Sequence, residues 1–223
     1  MEKCPSRRAD LPLNEKTLCA LPLFPLENTV FFPHTVLPLH IFEPRFRQMV
    51  EAALAGDRLI VVARATGTQE EVASIAGVGR ILHHQRLEGG RFHLLLQGVG
   101  RVSIRAENMA KEGQLFRSVQ TTLLEEEWLE PDVVGAELAE IQDCYTYLLQ
   151  HMPEAACALG ELPSQLCCPQ VLANMLCSTV LSDVDRRQVA LEENSVKRRL
   201  HMAKEALAAL LLDVLRPGES AVH

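Results

Sequence analysis

The sequence predicts an α+β protein, in which a β-rich first part is followed by an α-helical second part. Short apolar runs separated by glycine turns extend to about residue 122, and long stretches of helical periodicity follow. The formal charge changes at the same place, from +3 over residues 1–122 to −10 over residues 123–223. The join, Leu123 to Asp132, is acidic and contains a proline, which is typical of a hinge between two domains.

Glycine positions define the strands of the first part. Leu59–Ala63 is a run of mostly branched apolar residues, as in a buried strand. Ile81–Leu87 and Phe92–Gln97 predict a hairpin, because Gly89 and Gly90 between them supply the positive φ that a tight turn needs. The remaining predicted strands are Arg101–Ala106, after a turn or bulge at Gly98-Val99-Gly100, and Phe116–Leu124.

One helix interrupts these strands. Pro44 suits a first helical turn, and Gly56 stands where a C-terminal glycine cap belongs. Between them, one face of the predicted helix is apolar and consists of Phe46, Met49, Val50, Ala53 and Leu54.

Apolar residues at helical spacing predict a packed bundle in the second part. The predicted helices are one over Val133–Leu149, a shorter one over Gln165–Val180, one capped by Asp183 and running through Asn194, and a last one over Val196–Val214 that ends at Arg216-Pro217-Gly218.

Bulk features predict a cytoplasmic protein without a membrane span. The N-terminus has basic residues but no apolar core of a signal peptide, and no uninterrupted apolar run reaches about 18 residues. The seven cysteines form no Cys-x-x-Cys pair, so reduced thiols are expected rather than a disulfide framework or a zinc site.

Motifs for catalysis, cofactors and metals are absent from the sequence. The two Gly-Val-Gly pieces join strands rather than opening a helix, and there is no P-loop. His83 and His84 point to opposite faces of a strand, and His93 lies across the hairpin near one of them, so a metal site is not expected. Cys167-Cys168 is interpreted as core, because no basic residue lies nearby to activate a thiol.

Arginines are scattered through the β-rich part, but few aromatic residues lie between them. The acidic second part would also repel a phosphate backbone. Nucleic-acid binding is therefore not the favoured function.

The most apolar stretch, LPLFPLENTVFFPHTVLPLHIFEPRF (Leu21–Phe46), contains five prolines. Together with AALAGDRLIVVA, VGRIL and LLLQGVGRVSI, it resembles the N-terminal domain of Lon proteases. The helical stretch VLANMLCSTVLSDVDRRQVALEENSVKRRLHMAKEALAALL is similar to the helices that follow that domain. The resemblance covers about residues 18–215.

The resemblance implies a PUA-like β-barrel with one crossing helix, followed by a C-terminal helical bundle. The implied domains are a flexible tail over residues 1–17, the barrel over 18–124 and the helical subdomain over 132–216. In that fold, prolines are expected at strand starts, edges and bulges, where no backbone donor is required. The ATPase and Ser-Lys peptidase modules of full Lon proteases are not expected in this chain, which has no Walker motif.

The resemblance also implies a non-catalytic module that binds unfolded or degron-bearing polypeptides, or an adaptor that works with a protease or chaperone. The module is expected to be a monomer or weak homodimer without a cofactor. Two alternatives remain: an RNA-binding PUA-like protein, and an unrecognised enzyme that uses a cleft between barrel and helices.

The hypothesised peptide site lies in the proline-rich stretch, which has more large apolar groups than strand alternation sends inward. Adjacent Phe31 and Phe32 would face opposite ways, so one of them would leave the core. Arg45 would offer a charged rim to a peptide carbonyl or carboxylate. The predicted peptide-binding residues are Phe32, His34, His40, Phe42 and Arg45.

Overall fold

The computed structural model describes residues 18–67, 71–151 and 168–215. The described residues form two compact units, one ending at Glu125 and the other beginning at Glu126. The predicted flexible tail, residues 1–17, lies outside the described residues. An α+β fold is confirmed, with a six-stranded sheet and five α-helices in the described part of the chain.

The first unit is built on a sheet whose hydrogen-bonded pairings close into a ring. Its strands are β1 (Leu21–Leu26), β2 (Val36–Ile41), β3 (Leu59–Arg64), β4 (Ile75–Arg86), β5 (Phe92–Glu107) and β6 (Ser118–Leu123). The strand order is β2-β5-β4-β3-β1-β6, and β6 also pairs with β5. Only β2 therefore lies outside the ring, at the end of the order. All pairs are antiparallel except β1 with β3.

The predicted hairpin is confirmed. Strands β4 and β5 flank a short 3-10 turn, Glu88–Gly90, in which Gly89 and Gly90 have φ values of 72° and 74°. The Gly98-Val99-Gly100 piece is a bulge rather than a turn, because Gly98 pairs with Gly79 and Gly100 with Val78, leaving Val99 as the extra residue. Strand β5 consequently runs through the bulge without interruption.

Each proline of the apolar stretch lies where its missing donor is tolerated. Pro22 and Pro25 lie in β1, next to the two ends of that short strand, and Pro38 lies in the edge strand β2. Pro33 lies in the turn before β2, and Pro44 occupies the first turn of a helix.

That helix, α1 (Pro44–Ala55), covers one face of the sheet. Its buried residues Phe46, Met49 and Val50 join an apolar cluster with Phe31 and Leu96. Gly56 follows the helix as predicted, but its φ of −113° is not left-handed. The left-handed residue of this turn is Arg58, with a φ of 60°.

A second apolar cluster lies on the opposite face of the same strands. It is made of smaller residues, among them Leu23, Val61, Ala63, Val78 and Val102. Because successive strand residues point to opposite faces, the run Leu59–Ala63 contributes to both clusters and is buried throughout.

The second unit is helical. After a 3-10 turn (Pro131–Val134), its helices are α2 (Gly135–His151), α3 (Pro169–Val180), α4 (Val184–Glu192) and α5 (Val196–Leu215). Asp183 caps α4 as predicted, its side chain accepting a hydrogen bond from the Asp185 amide. The start predicted for the second helix, Gln165, and the stop predicted at Arg216-Pro217-Gly218 lie outside the described residues.

Two residues of the acidic join, Glu126 and Glu127, contact the helices of the second unit, and the predicted hinge remains a prediction. Arg199 of α5 is fully buried and donates to Glu126 and to Asn174 of α3. Glu127 accepts from the Val196 amide at the start of α5 (2.8 Å), so it serves that helix N-terminus as a cap.

Among the described cysteines, the expectation of reduced thiols is wrong for Cys168. Cys168 is disulfide-bonded, whereas Cys19, Cys144 and Cys177 are free. Cys168 is also buried, as its interpretation as core requires. Among the described helices, none has the length and apolar character needed to cross a membrane.

Candidate functional site

A cleft of about 350 Å³ opens in the first unit, between the end of β1 and the end of β2. One wall is the segment from Phe24 to Thr29, and the other runs from Leu39 through Phe46. Its floor is apolar, because Phe24, Ile41 and Phe46 belong to the buried cluster under α1. The volume lies in the range of natural binding pockets.

Three of the five predicted site residues meet at this cleft: His40, Phe42 and Arg45. Phe42 is 60% exposed and therefore presents apolar surface beside the open cleft. His40 is exposed on β2, with its ring centroid 6.0 Å from that of Phe42 and 5.0 Å from that of His93. The cleft therefore has an aromatic rim over an apolar floor.

Arg45 lies on the rim but is engaged with neighbouring side chains. Its Nε donates to a Glu43 carboxylate oxygen at 2.9 Å, and its guanidinium carbon lies 4.4 Å from the centroid of the Phe46 ring. These contacts hold the guanidinium over the Phe46 ring at the cleft floor.

The other two predicted residues, Phe32 and His34, lie away from the cleft. Phe31 and Phe32 are both buried, so the expectation that one of them leaves the core is wrong. The two residues lie outside the strands, so the alternation of a paired strand does not decide which side chain is buried. His34 is exposed in the turn before β2, with a φ of 65° and its amide bonded to the Gly98 carbonyl at 2.8 Å.

Glycines explain how two adjacent phenylalanines are both buried. The Phe31-Phe32 backbone crosses the sheet in direct contact with Gly77 and Gly98, where a Cβ would collide with the Phe31 and Phe32 carbonyl oxygens. A Cβ on Gly79 would meet the Phe31 ring. These glycines permit a close backbone approach, rather than the phosphate binding that a Gly-x-Gly pattern first suggests.

A second groove, of about 620 Å³, was not predicted from the sequence. It is lined by residues from three distant segments, including Leu21, Ala53 and Phe116. Met109, which is 95% exposed, is one of the lining residues. No local motif marks this groove, because its lining comes together only in the folded sheet.

Titratable groups in the described residues do not form a metal centre. No three His, Cys, Asp or Glu side chains among them are arranged to hold a metal ion. His93 pairs with Gln85 and His40 across the sheet, so it lies across the hairpin from the part of β4 that contains His83 and His84. Burial raises the pKa of the Cys177 thiol to about 12, which keeps it protonated and unreactive.

Comparison with known proteins identifies the family of this chain. The model of the ATP-dependent protease La (LON) substrate-binding domain matches residues 20–209. The chain belongs to the Lon substrate-binding domain family. The matched residues contain the whole sheet and nearly all of the described helices, and no ATPase or peptidase domain was identified in them.

Curated relatives of this Lon-family chain are whole Lon proteases. It is 26% identical over 206 residues to the Lon protease of Desulfosudis oleivorans, covering 89% of this chain and 25% of that protein. It is 30% identical over 210 residues to Lon protease 2 of Herpetosiphon aurantiacus, covering 88% of this chain and 24% of that protein. The chain thus spans about a quarter of the length of these relatives.

Solved structures show the same fold. The N-terminal domain of Mycobacterium avium complex Lon protease superposes with a TM-score of 0.65 at 21% identity, covering 85% of this chain and 98% of that one. A Lon N-terminal domain protein from Xanthomonas campestris gives a TM-score of 0.60 at 20% identity, covering 82% and 95%.

Proposed function

We propose that this chain is a non-catalytic polypeptide-binding module with a PUA-like barrel as its first unit. Its substrates are unfolded or degron-bearing proteins, and its partner in handling them is a protease or a chaperone. A cytoplasmic location and a monomeric or weakly dimeric state belong to the same proposal. Membership of a substrate-binding domain family supports the binding role.

The cleft beside Phe42 is the observation that carries this proposal. Recognition of unfolded chains needs exposed apolar surface, which a folded protein normally keeps to small patches. Phe42 supplies such surface next to an apolar floor, and aromatic side chains commonly dominate the binding energy of an interface.

Binding to an unfolded model protein tests the proposal. A reduced and carboxymethylated protein, labelled with a fluorophore, is expected to bind the chain in an anisotropy titration. Phe42→Ala is expected to weaken that binding roughly tenfold, the effect of losing about 1.4 kcal/mol at an aromatic contact.

Val133→Ala is the matched control, because Val133 is also 60% exposed but belongs to the helical unit and is not among the residues that line the cleft. An unchanged affinity in Phe42→Ala would remove the cleft from the proposal. A steep loss of binding with added salt, together with tighter binding of RNA, would favour the RNA-binding alternative.

The non-catalytic part of the proposal is tested separately. The purified chain is expected to hydrolyse neither ATP nor casein. Turnover that persists through further purification would overturn this part while leaving the binding role open to its own test.

A further inference from the structure

Strand β2 presents an open edge toward the cleft. It lies at the end of the strand order and, within the described part of the chain, pairs only with β5. Its residues Leu39, His40 and Ile41 form part of one cleft wall. A strand edge of this kind is a template for pairing with another extended chain.

The register identifies the backbone groups that face outward. The Gly98 amide donates to the Thr35 carbonyl at 2.8 Å, which makes Thr35 and every second residue after it the bonded partners of β5. Val36, Pro38 and His40 then direct their backbone groups to the opposite edge. Pro38 is consistent with this alternation, because a proline has no amide N–H to donate to β5.

The edge is partly protected, as natural edge strands usually are. Pro38 removes the middle donor of the three outward positions, and the strand is only six residues long. The amides of Val36 and His40 remain as donors, and the carbonyls of all three residues as acceptors. A short extended segment can use these groups, whereas a long regular sheet cannot form across the proline.

The charge of the cleft favours a basic occupant. Two carboxylates, Glu27 and Glu43, and one guanidinium, Arg45, are among its lining groups, and Arg45 is paired with Glu43. The exposed carboxylate of Glu27 is left as the excess charge on the wall opposite β2.

We propose that the cleft takes an extended segment of an unfolded polypeptide, with alternating apolar and basic residues, as an added strand on the outer edge of β2. This inference rests on the proposed polypeptide-binding function and specifies how that site binds. The backbone of the segment bonds to Val36 and His40, its apolar side chains cover the cleft floor, and a basic side chain meets Glu27. Affinity then comes largely from the backbone, which explains how one site accepts many sequences.

Backbone methylation of a synthetic peptide tests the added strand. The probe is a labelled octapeptide of alternating valine and lysine with blocked termini, titrated against the full chain. Two isomers carry N-methyl groups, one on every valine and the other on every lysine. In a strand, alternate amides face opposite edges, so exactly one isomer is expected to lose binding at least tenfold. Equal binding by both isomers, or equal loss by both, would overturn the added strand.

The outer edge of β2 is tested by comparing two variants, His40→Pro and His40→Ala. Both variants remove the imidazole, but only the proline removes the outward amide, and neither removes a bond to β5. The octapeptide is expected to bind His40→Pro at least tenfold more weakly than His40→Ala, whatever the loss of the imidazole costs both variants. Equal affinities for two folded variants would contradict the proposal; where His40→Pro does not fold, the methylated peptides decide.

Two further changes, one in the peptide and one in the protein, test the preference for basic residues. Replacing lysine by glutamate in the octapeptide is expected to weaken binding, and Glu27→Gln is expected to reduce the difference between the two peptides. Unchanged affinities would contradict the basic preference. If the unfolded model protein binds while the octapeptides do not, the edge inference fails alone; if neither binds, the proposed function fails with it.

Discussion

Phe32 and Phe42 lie ten residues apart in the same apolar stretch but differ completely in exposure, which is 0% for Phe32 and 60% for Phe42. Phe32→Ala is expected to lower the free energy of unfolding by about 3–5 kcal/mol, because it leaves a cavity in a packed core. Phe42→Ala is the control and is expected to change it by less than about 0.5 kcal/mol. Urea denaturation followed by circular dichroism measures both. Similar losses in the two variants would contradict these placements.

The glycines beneath Phe31 and Phe32 give a second prediction for single residues. Gly98→Ala is expected to destabilise the sheet unit by about 1–3 kcal/mol, because its Cβ would collide with the Phe32 carbonyl and force the backbone apart. Gly56→Ala in the same unit is the control, since its Cβ would meet only ordinary contacts at 3.7 Å or more. Thermal unfolding compares the two, and a melting temperature unchanged by Gly98→Ala would contradict the close approach.

Burial also predicts the reactivity of the free cysteines. Cys177 is buried and its pKa is raised to about 12, whereas Cys19 is exposed. Iodoacetamide at pH 8.5 is expected to modify Cys19 in the folded chain and Cys177 only after unfolding, as mapped by peptide mass spectrometry. The raised pKa stabilises the fold below the ordinary thiol pKa of about 8.5, and this contribution is lost as the pH rises toward 12. Rapid modification of Cys177 in the folded chain would contradict its burial.

Of the five residues that the sequence indicated, three line one cleft and two lie elsewhere. His40, Phe42 and Arg45 were chosen as large or charged groups in an apolar stretch, and they do line one cleft. Alternation predicts that Phe31 or Phe32 is exposed, but this segment lies outside the strands and both are buried. Only the folded sheet shows that Gly77 and Gly98 make room for both phenylalanines.

At the scale of elements, residues with strong local preferences marked the boundaries. Gly89 and Gly90 located the hairpin, Pro44 the start of α1 and Asp183 the start of α4. The continuity of β5 through its bulge could not be predicted, because a bulge and a turn place glycine alike. The pairing of β6 with both β1 and β5 is a long-range property that no local pattern contains.

Helix α5 depends on a buried polar contact that periodicity does not reveal. Arg199 is fully buried between Glu126 and Asn174. Arg199→Ala is expected to lower the free energy of unfolding of the helical unit by about 3–5 kcal/mol, because it removes one partner of a buried ion pair.

Lys204→Ala is the control for Arg199→Ala: Lys204 lies on the same helix, α5, but its ion pair with Glu140 of α2 is exposed, so a much smaller effect is expected. Both variants are compared by guanidinium denaturation. A second readout is proteolysis after Glu126 and Glu127, which is expected to accelerate in Arg199→Ala because the join loses its anchor. Equal stability of the two variants would show that the buried pair contributes little.

At the scale of the whole molecule, each unit has its own core. The sheet unit encloses two apolar clusters, and the helical unit buries Ile141, Leu172, Leu200 and Leu207 among its helices. The changes in charge and in hydrophobic periodicity near residue 123 indicated such a division, because strands and helices bury apolar residues at different spacings. The domain bounds of 18–124 and 132–216 remain predictions.

Separate expression of the two parts tests whether each core is sufficient for folding. Fragments 7–125 and 126–223 divide the chain where the two units meet. Each fragment is expected to unfold cooperatively in urea, the first with strand-type and the second with helix-type circular dichroism, because each unit buries apolar residues of its own. The 126–223 fragment retains Glu126 and Glu127, so both carboxylates that contact α5 are present in it.

A third fragment, 132–223, lacks both carboxylates and is expected to be less stable by about the cost of Arg199→Ala. Equal stability of 126–223 and 132–223 would place the boundary after the acidic join, and failure of 7–125 to fold would show that the sheet unit depends on the helices.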